Sequence, residues 1–202
     1  KLLAAGAAEA SGSARRLGKL ETEAQRMADS VVEEVDRLSA TVNRYLQFAR
    51  GGTAEAGGRG DAVGTLVATL DLLEGEFRAR DCALERDGLS AGAMVALEDA
   101  ALKQVWLNLL QNALEAIPAR GRVRVSCERE PHQVRIRVAD DGPGVPAEVL
   151  ARLGEPFFTT RAQGTGLGLY LSRQLVQEAG GTLGLESRAG AGTLVTVQLP
   201  LA

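Results

Sequence analysis

Glycine is spread unevenly along this chain, and its clusters limit what each stretch can become. Of 24 glycines, one group falls in GGTAEAGGRG at residues 51–60 and another between residues 142 and 168, mixed with Asp, Thr and Pro. The first composition cannot pack a core and reads as a flexible linker. The second suits loops around a ligand, where a missing side chain lets backbone come close. The expected organisation is therefore a helical region at 1–50, a linker at 51–60 and a folded domain over 61–202. With 45% of 202 residues hydrophobic, there is enough apolar material for a core, and disorder over the whole length is excluded. A net charge of -3 offers no basic field to hold nucleic acid or an anionic membrane. No apolar run is long enough to span a bilayer and no signal-peptide pattern opens the chain, so a cytoplasmic location is expected. The first residue is Lys1 rather than Met, which reads as a fragment whose sensor or membrane part, if any, lies upstream.

From Leu17 the apolar positions run Leu17, Leu20, Ala24, Met27, Val31, Val35, Leu38, Val42, Tyr45, Ala49, in steps of three and four. This is a heptad seam with one extra four-residue step, sustained over roughly nine helical turns. A helix with one apolar stripe and no partner in its own segment is expected to self-associate, most simply as a homodimer in a bundle. An amphipathic helix lying on the next domain is the plainer alternative.

Beyond the linker, Asp61 is positioned to cap a helix whose stripe is Val63, Leu66, Val67, Leu70, Leu73 and Phe77. Short strands are expected at 83–86 and 94–97. The strongest helix follows, with Asp99 as its cap, Leu102, Val105, Trp106, Leu109, Ala113 and Ile117 as its stripe, and Pro118 as its stop. Alternation over 122–128 and 133–140 predicts a hairpin with REPH as its turn. A helix at 167–179 and a strand pair at 182–187 and 193–199 complete an α+β arrangement, one sheet covered on one face by helices. Cys82 and Cys127 have no metal or redox spacing and are expected as reduced thiols within strands.

Three segments carry chemistry. Asn108 and Asn112 are one helical turn apart beside the apolar stripe, where uncharged amides need partners. A carboxamide oxygen suits Mg²⁺ that also keeps water and phosphate oxygens, although such a pair alone is also an ordinary hydrogen-bonded core feature. In Asp140-Asp141-Gly142-Pro143-Gly144 a carboxylate emerges at a strand end, where it would accept from the exocyclic amino group of adenine and reject the carbonyl of guanine. A plain turn uses the same residues. Gly164-Thr165-Gly166-Leu167-Gly168 opens a helix, so backbone N–H groups and the helix dipole face an anion such as phosphate. It neither follows a strand nor contains GK[ST], which excludes the dinucleotide and Walker patterns.

Taken in order, LNLLQNALEA at 107–116, DDGPGVP at 140–146, EPFFTT at 155–160, GTGLGL at 164–169 and GTLVTVQLP at 192–200 resemble the ATP-binding catalytic domain of sensor histidine kinases, in the GHKL superfamily. NALEA with FFTTR most resembles the nitrogen-regulation-type subset. The resemblance implies a GHKL-type α/β sandwich, a mixed sheet covered by helices, preceded by a long coiled-coil-like helix. Its cofactors would be ATP and Mg²⁺, with Asn112 as the metal ligand and Asn108 beside the phosphates. Asp140 would read adenine, Gly142 and Gly144 would let the backbone pass the base, and Thr193 would lie beneath it. Thr160, Arg161, Gly164, Gly166, Leu167 and Gly168 would contact nucleotide or form the lid, Arg161 offering its charge to the γ-phosphate where relatives often carry Lys. Many relatives are basic at the position of Glu115, a departure that argues against a direct phosphate role for it.

The same resemblance implies that residues 31–50 form the second helix of a dimerisation hairpin and that the product passes to an Asp of a response-regulator receiver domain. The hairpin's phosphoacceptor histidine is missing: His132, the only histidine, falls in the REPH turn. Self-phosphorylation of this chain is therefore not expected. Two alternatives are an ATP-hydrolysing relative, disfavoured because Asn108 stands where such enzymes place a Glu base, and a catalytically silent dimeric nucleotide-binding scaffold.

Overall fold

The computed structural model describes residues 25–27, 58–118, 120–161 and 164–202. The seam from Leu17 to Ala49 and the dimer expected from it lie outside the described residues, apart from a helical turn at Gln25, Arg26 and Met27.

Four helices and seven strands make up the domain: β1 (Gly60–Asp61), α1 (Ala62–Ala79), β2 (Ala83–Asp87), β3 (Met94–Val95), α2 (Asp99–Ala116), β4 (Arg122–Arg129), β5 (Gln133–Asp140), α3 (Ala147–Leu150), α4 (Gly168–Glu178), β6 (Thr182–Ser187) and β7 (Thr193–Pro200). Five strands form one sheet in the order β2-β4-β5-β7-β6. The β2–β4 pair is parallel, with α2 in the connection, and the other pairs are antiparallel. Inward positions Val123, Val125, Val134, Ile136, Val138, Val195, Val197 and Leu199 are buried, while Arg122, Arg124, Arg135 and Arg137 on the other face pair with Glu85, Glu128 and Glu130. This period-two division forces the helices onto one face, as expected for the α+β sandwich.

Asp61 caps α1 as its sequence position predicts, accepting from Val63 N at 3.1 Å and from Ala93 N at 2.8 Å. The second bond ties the start of α1 to the segment before β3. Val63, Leu66, Leu70, Leu73 and Phe77 then face the core with Trp106 of α2, whose Nε1 donates to Thr65 Oγ1 at 3.2 Å.

Local expectations fail where the partner is distant. Asp99 is not the cap of α2: Glu98 takes that position with no side-chain bond, and Asp99 Oδ1 accepts instead from Asp61 N at 3.0 Å. Its charge in the first turn still favours the helix dipole. Met94–Val95 is shorter than expected and does not join the main sheet. It pairs with Gly60–Asp61, so the last glycine of the expected linker is a buried strand residue. Cys82 precedes β2 rather than lying within it, whereas Cys127 is in β4. Both are free thiols, and burial pushes both above the ordinary cysteine range, which disfavours the thiolate. Among the described residues no helix is long and apolar enough to cross a membrane.

Candidate functional site

The motifs converge where the end of β5 and the start of β7 meet the C-terminal half of α2. Asp140 closes β5 and stands opposite Thr193, the first residue of β7. Both project from the helix-facing side of the sheet, because they share the parity of buried Val138 and Val195. Asp140 Oδ1 accepts from Gly142 N at 3.0 Å. Burial, reinforced by the neighbouring Asp141 charge, raises the Asp140 carboxyl above its ordinary range. Bonds from the Gly142 and Thr193 backbones and the charge of Arg161 oppose that rise. Arg161 is thus near enough for its charge to favour the ionised carboxylate, though less than the backbone bonds do.

The loop after β5 is moored to the β6–β7 turn. Gly190 N donates to Pro143 O at 2.7 Å, and Val145 N donates to Ser187 Oγ at 2.9 Å. The Ser187 hydroxyl donates to Gly192 O at 2.8 Å and lies 3.1 Å from Thr193 Oγ1. Gly144 has φ +65°, and a Cβ there would run into Arg188 O. At Gly142 a Cβ would lie 2.9 Å from Ala116 O at the end of α2. At both glycines the space a Cβ would need is taken by the protein's own backbone. Ser187 is a site residue that sequence reasoning missed. Its only sequence signal is a small hydroxyl at a strand end, immediately before a glycine-rich turn.

The two asparagines of α2 serve different neighbours. Asn108 is buried; its Nδ2 donates to Gly168 O at 3.3 Å and to Ser172 Oγ at 3.2 Å, and its Oδ1 accepts from Gln104 Nε2 at 3.2 Å. The Nδ2 end of the amide thus fixes the first turn of α4, while its Oδ1 is held by Gln104 of its own helix. One turn on, Asn112 Oδ1 accepts from Arg161 Nη1 at 2.9 Å, and Asn112 O accepts from Arg161 Nη2 at 2.8 Å. The same guanidinium forms an ion pair with Glu115. A guanidinium therefore bridges three acceptors on the end of α2.

Between β5 and α4, Phe158 is covered by the Arg152 guanidinium 4.1 Å from its ring centroid. Phe157 holds φ +66° and Gly166 φ +67°. This conformation is costly for Phe157, and such strain accumulates in segments that do more than connect. Thr160 is exposed, Gly164 N donates to Arg161 O at 3.2 Å, and Leu167 is buried at the entry to α4. No side chain caps α4. The N-terminal end of a helix, with its N–H groups and the positive end of its dipole, is an arrangement that receives phosphate.

Asp140, Gly142, Gly144 and Thr193 gather at the end of β5 and the start of β7, Arg161 pairs with Asn112 of α2, Asn108 meets Gly168 at the α2–α4 contact, and Leu167 precedes α4. Among the described residues no cluster of three or more His, Cys, Asp or Glu can hold a metal. Asn112 Oδ1 nevertheless suits Mg²⁺, which commonly takes one or two protein oxygens and completes its shell with phosphate and water. A half-buried carboxylate at a strand end suits a purine amino group.

A mixed sheet with helices on one face, an Asp-Gly loop whose Gly142 abuts the end of an Asn-bearing helix, and a glycine-rich segment leading into α4 define an ATP-binding domain of the GHKL class. Residues 98–202 match the histidine kinase-, DNA gyrase B- and HSP90-like ATPase family, and the chain belongs to it. Over 90% of its length it is 37% identical to the C4-dicarboxylate transport sensor protein DctB of Rhizobium meliloti, of which it spans 29%. Full-length ShkA in complex with AMPPNP is similar at a TM-score of 0.72 and 29% identity, over 84% of this chain and 37% of that one. Histidine kinase ThkA in complex with response regulator protein TrrA is similar at 0.68 and 25% identity, over 85% of this chain and 49% of that one.

Proposed function

We propose that this chain is the catalytic part of a sensor histidine kinase, which binds Mg²⁺-ATP and transfers the γ-phosphoryl group to a histidine of a dimerisation helix, for relay to an Asp of a response-regulator receiver. In this reading residues 1–50 belong to the dimerisation region, 51–60 tether it and 61–202 bind ATP, all in the cytoplasm. The observation that carries the reading is the Asp140 carboxylate, half-buried opposite Thr193 with Arg161 near enough for its charge to favour the ionised form. The similarity to a sensor protein, to ShkA with AMPPNP and to a histidine kinase with a response regulator supports it.

The nucleotide supplies the phosphoryl group, and Mg²⁺ held with Asn112 Oδ1 would offset its charge. Asp140 accepts from the adenine amino group and keeps Gly142 N bound. Thr193 underlies the base. Asn108 holds α4 in place through Gly168 and Ser172, so that the first-turn N–H groups, with Gly164, Gly166 and Leu167, meet phosphate oxygens. Arg161 and Thr160 close on the terminal phosphate. Positioning and charge neutralisation carry most of such a transfer. With its amide engaged at both ends, Asn108 leaves no base at that position to activate water, which favours transfer to imidazole over hydrolysis. His132 is exposed in the β4–β5 turn, far in character from a helical phosphoacceptor.

The test incubates the chain with Mg²⁺ and γ-labelled ATP, with and without a separately supplied hairpin helix carrying the histidine. Acid-labile, base-stable label on the added helix with little free phosphate is expected. Rapid release of free phosphate with no protein label would replace the kinase reading with an ATPase.

A further inference from the structure

Sequence reasoning set Glu115 aside because it cannot greet a phosphate. The structure shows it engaged with the very group that can. The Glu115 carboxylate pairs with Arg161, 46 residues away, while the two Nη atoms of that guanidinium hold Asn112 Oδ1 and Asn112 O. A carboxamide oxygen that accepts from a guanidinium sits against a positive charge, which makes it a weaker ligand for a cation while that contact holds. The backbone around Arg161 is separately fixed: Arg161 N donates to Thr159 Oγ1 at 3.1 Å, and Gly164 N donates to Arg161 O at 3.2 Å. Releasing Asn112 therefore needs only a swing of the Arg161 side chain.

We propose that Glu115 is a positioning residue: its carboxylate retains the Arg161 guanidinium across the Asn112 side-chain oxygen, so that the metal and the terminal phosphate are admitted together. The inference rests on the Mg²⁺-ATP reading above. A phosphate draws Arg161 off Asn112, the freed oxygen becomes available to the cation, and Glu115 sets how firmly Arg161 resists. The Arg161 and Glu115 side chains are 36% and 51% exposed, so the restraint is that of a solvent-screened pair and reversible. Acidic character at position 115 and Arg at 161 are then two halves of one device, and the departure at Glu115 has a function.

Affinity for Mg²⁺ with a non-hydrolysable ATP analogue, measured by calorimetry on the full chain, tests it through a double-mutant cycle. Glu115→Gln is expected to tighten binding about threefold, the scale of an exposed ion pair. In an Arg161→Met background the same change is expected to do nothing, because there is no guanidinium left to restrain. Equal tightening in both backgrounds would mean plain relief of charge repulsion and would overturn the proposal, as would no tightening in either. Wild-type protein that binds no nucleotide would overturn the ATP reading itself. A second readout needs no nucleotide: in ¹⁵N-edited spectra the Arg161 Nη groups are expected to rotate slowly in the unaltered chain and faster in Glu115→Gln. Free rotation in the unaltered chain would overturn the proposal even where Arg161→Met binds too weakly to measure.

Discussion

At the Asp140 end of the site the contacts run from backbone to backbone or through the Asp140 carboxylate and the Ser187 hydroxyl, whereas at the Asn112 end they run from Arg161, in the segment before α4, to acceptors on α2. The first set joins β5, the β6–β7 turn and the loop between them, and a side chain has little freedom to leave it. The second set depends on one side chain with several rotatable bonds, held in part by a half-exposed ion pair. A base can be recognised by a surface that is already made, because its shape and its amino group do not change during a transfer. Phosphates and a metal ion alter in charge and number, and the groups that receive them must be exchangeable. The two ends are therefore expected to respond differently to the same kinds of perturbation.

The largest effect should come from Asp140→Asn. Removing the charged acceptor is expected to weaken ATP binding by about 2–3 kcal/mol, near a hundredfold, and to narrow the preference for ATP over GTP; nucleotide titrations check both. The fold should not weaken in parallel. A carboxyl whose folded pKa is raised by burial works against the fold while ionised, and stability rises as pH falls through the window between its unfolded and folded values. At neutral pH Asp140→Asn removes that cost while still accepting from Gly142 N, so a thermal melt should show equal or higher stability. Preserved ATP preference in this variant would break the assignment of the rigid end.

Next in size is Gly144→Ala, which places a Cβ at φ +65° against Arg188 O. A cost of about 2 kcal/mol in unfolding free energy is expected from the left-handed conformation and the clash, measurable by denaturant titration. Ser187→Ala is expected to cost about 1 kcal/mol, because Val145 N and Gly192 O lose a shared partner. Both changes should weaken adenosine binding as well as ATP binding, since they loosen the loop that carries the base.

Raised pKa at Asp140 also gives the rigid end a pH signature. On the proposed reading the base is held by the ionised carboxylate, so affinity for adenosine should fall as pH is lowered, starting above the range of an ordinary aspartate. Inosine, whose ring carries a carbonyl in place of the amino group, should lack that fall. Parallel pH titrations of the two nucleosides make the comparison, and identical profiles would detach the pH dependence from the base.

How much of this was legible in the sequence depended on the distance between partners. The α1 cap needed only Asp61 and a residue two positions on, and the α2 stripe and β4–β5 hairpin announced themselves by period and turn. The class of the fold followed from motif order. Asp99 was misread as a cap because its acceptor role is filled by Asp61 N, 38 positions earlier, which no local pattern encodes. Gly60 looked like tether because composition cannot register pairing with Val95. The contacts of Arg161 with Asn112 and Glu115 span 49 and 46 positions, so the sequence offered the residue types without the connection between them. Asn108 and Asn112, one turn apart, were told apart only through the resemblance, and the structure supplies the physical difference by turning one toward α4 and the other toward Arg161.

The smallest expected effect is the most telling for the contrast between the two ends. Glu115→Ala should change unfolding free energy by less than about 1 kcal/mol, because a half-exposed ion pair gains little over hydrated charges and is screened by salt. Ser187→Ala, which removes a smaller and uncharged group, should cost at least as much, because its loss strands backbone partners where the loop and the turn meet. Denaturant titrations of the two variants at low and high salt put the inequality to the test: the Ser187 variant should show the same loss at both salt concentrations, and the small loss in the Glu115 variant should vanish at the higher one. A Glu115 variant that destabilises the domain by several kcal/mol would mean that the arginine bridge is part of the framework, and the phosphate end would then have to be regarded as rigid too.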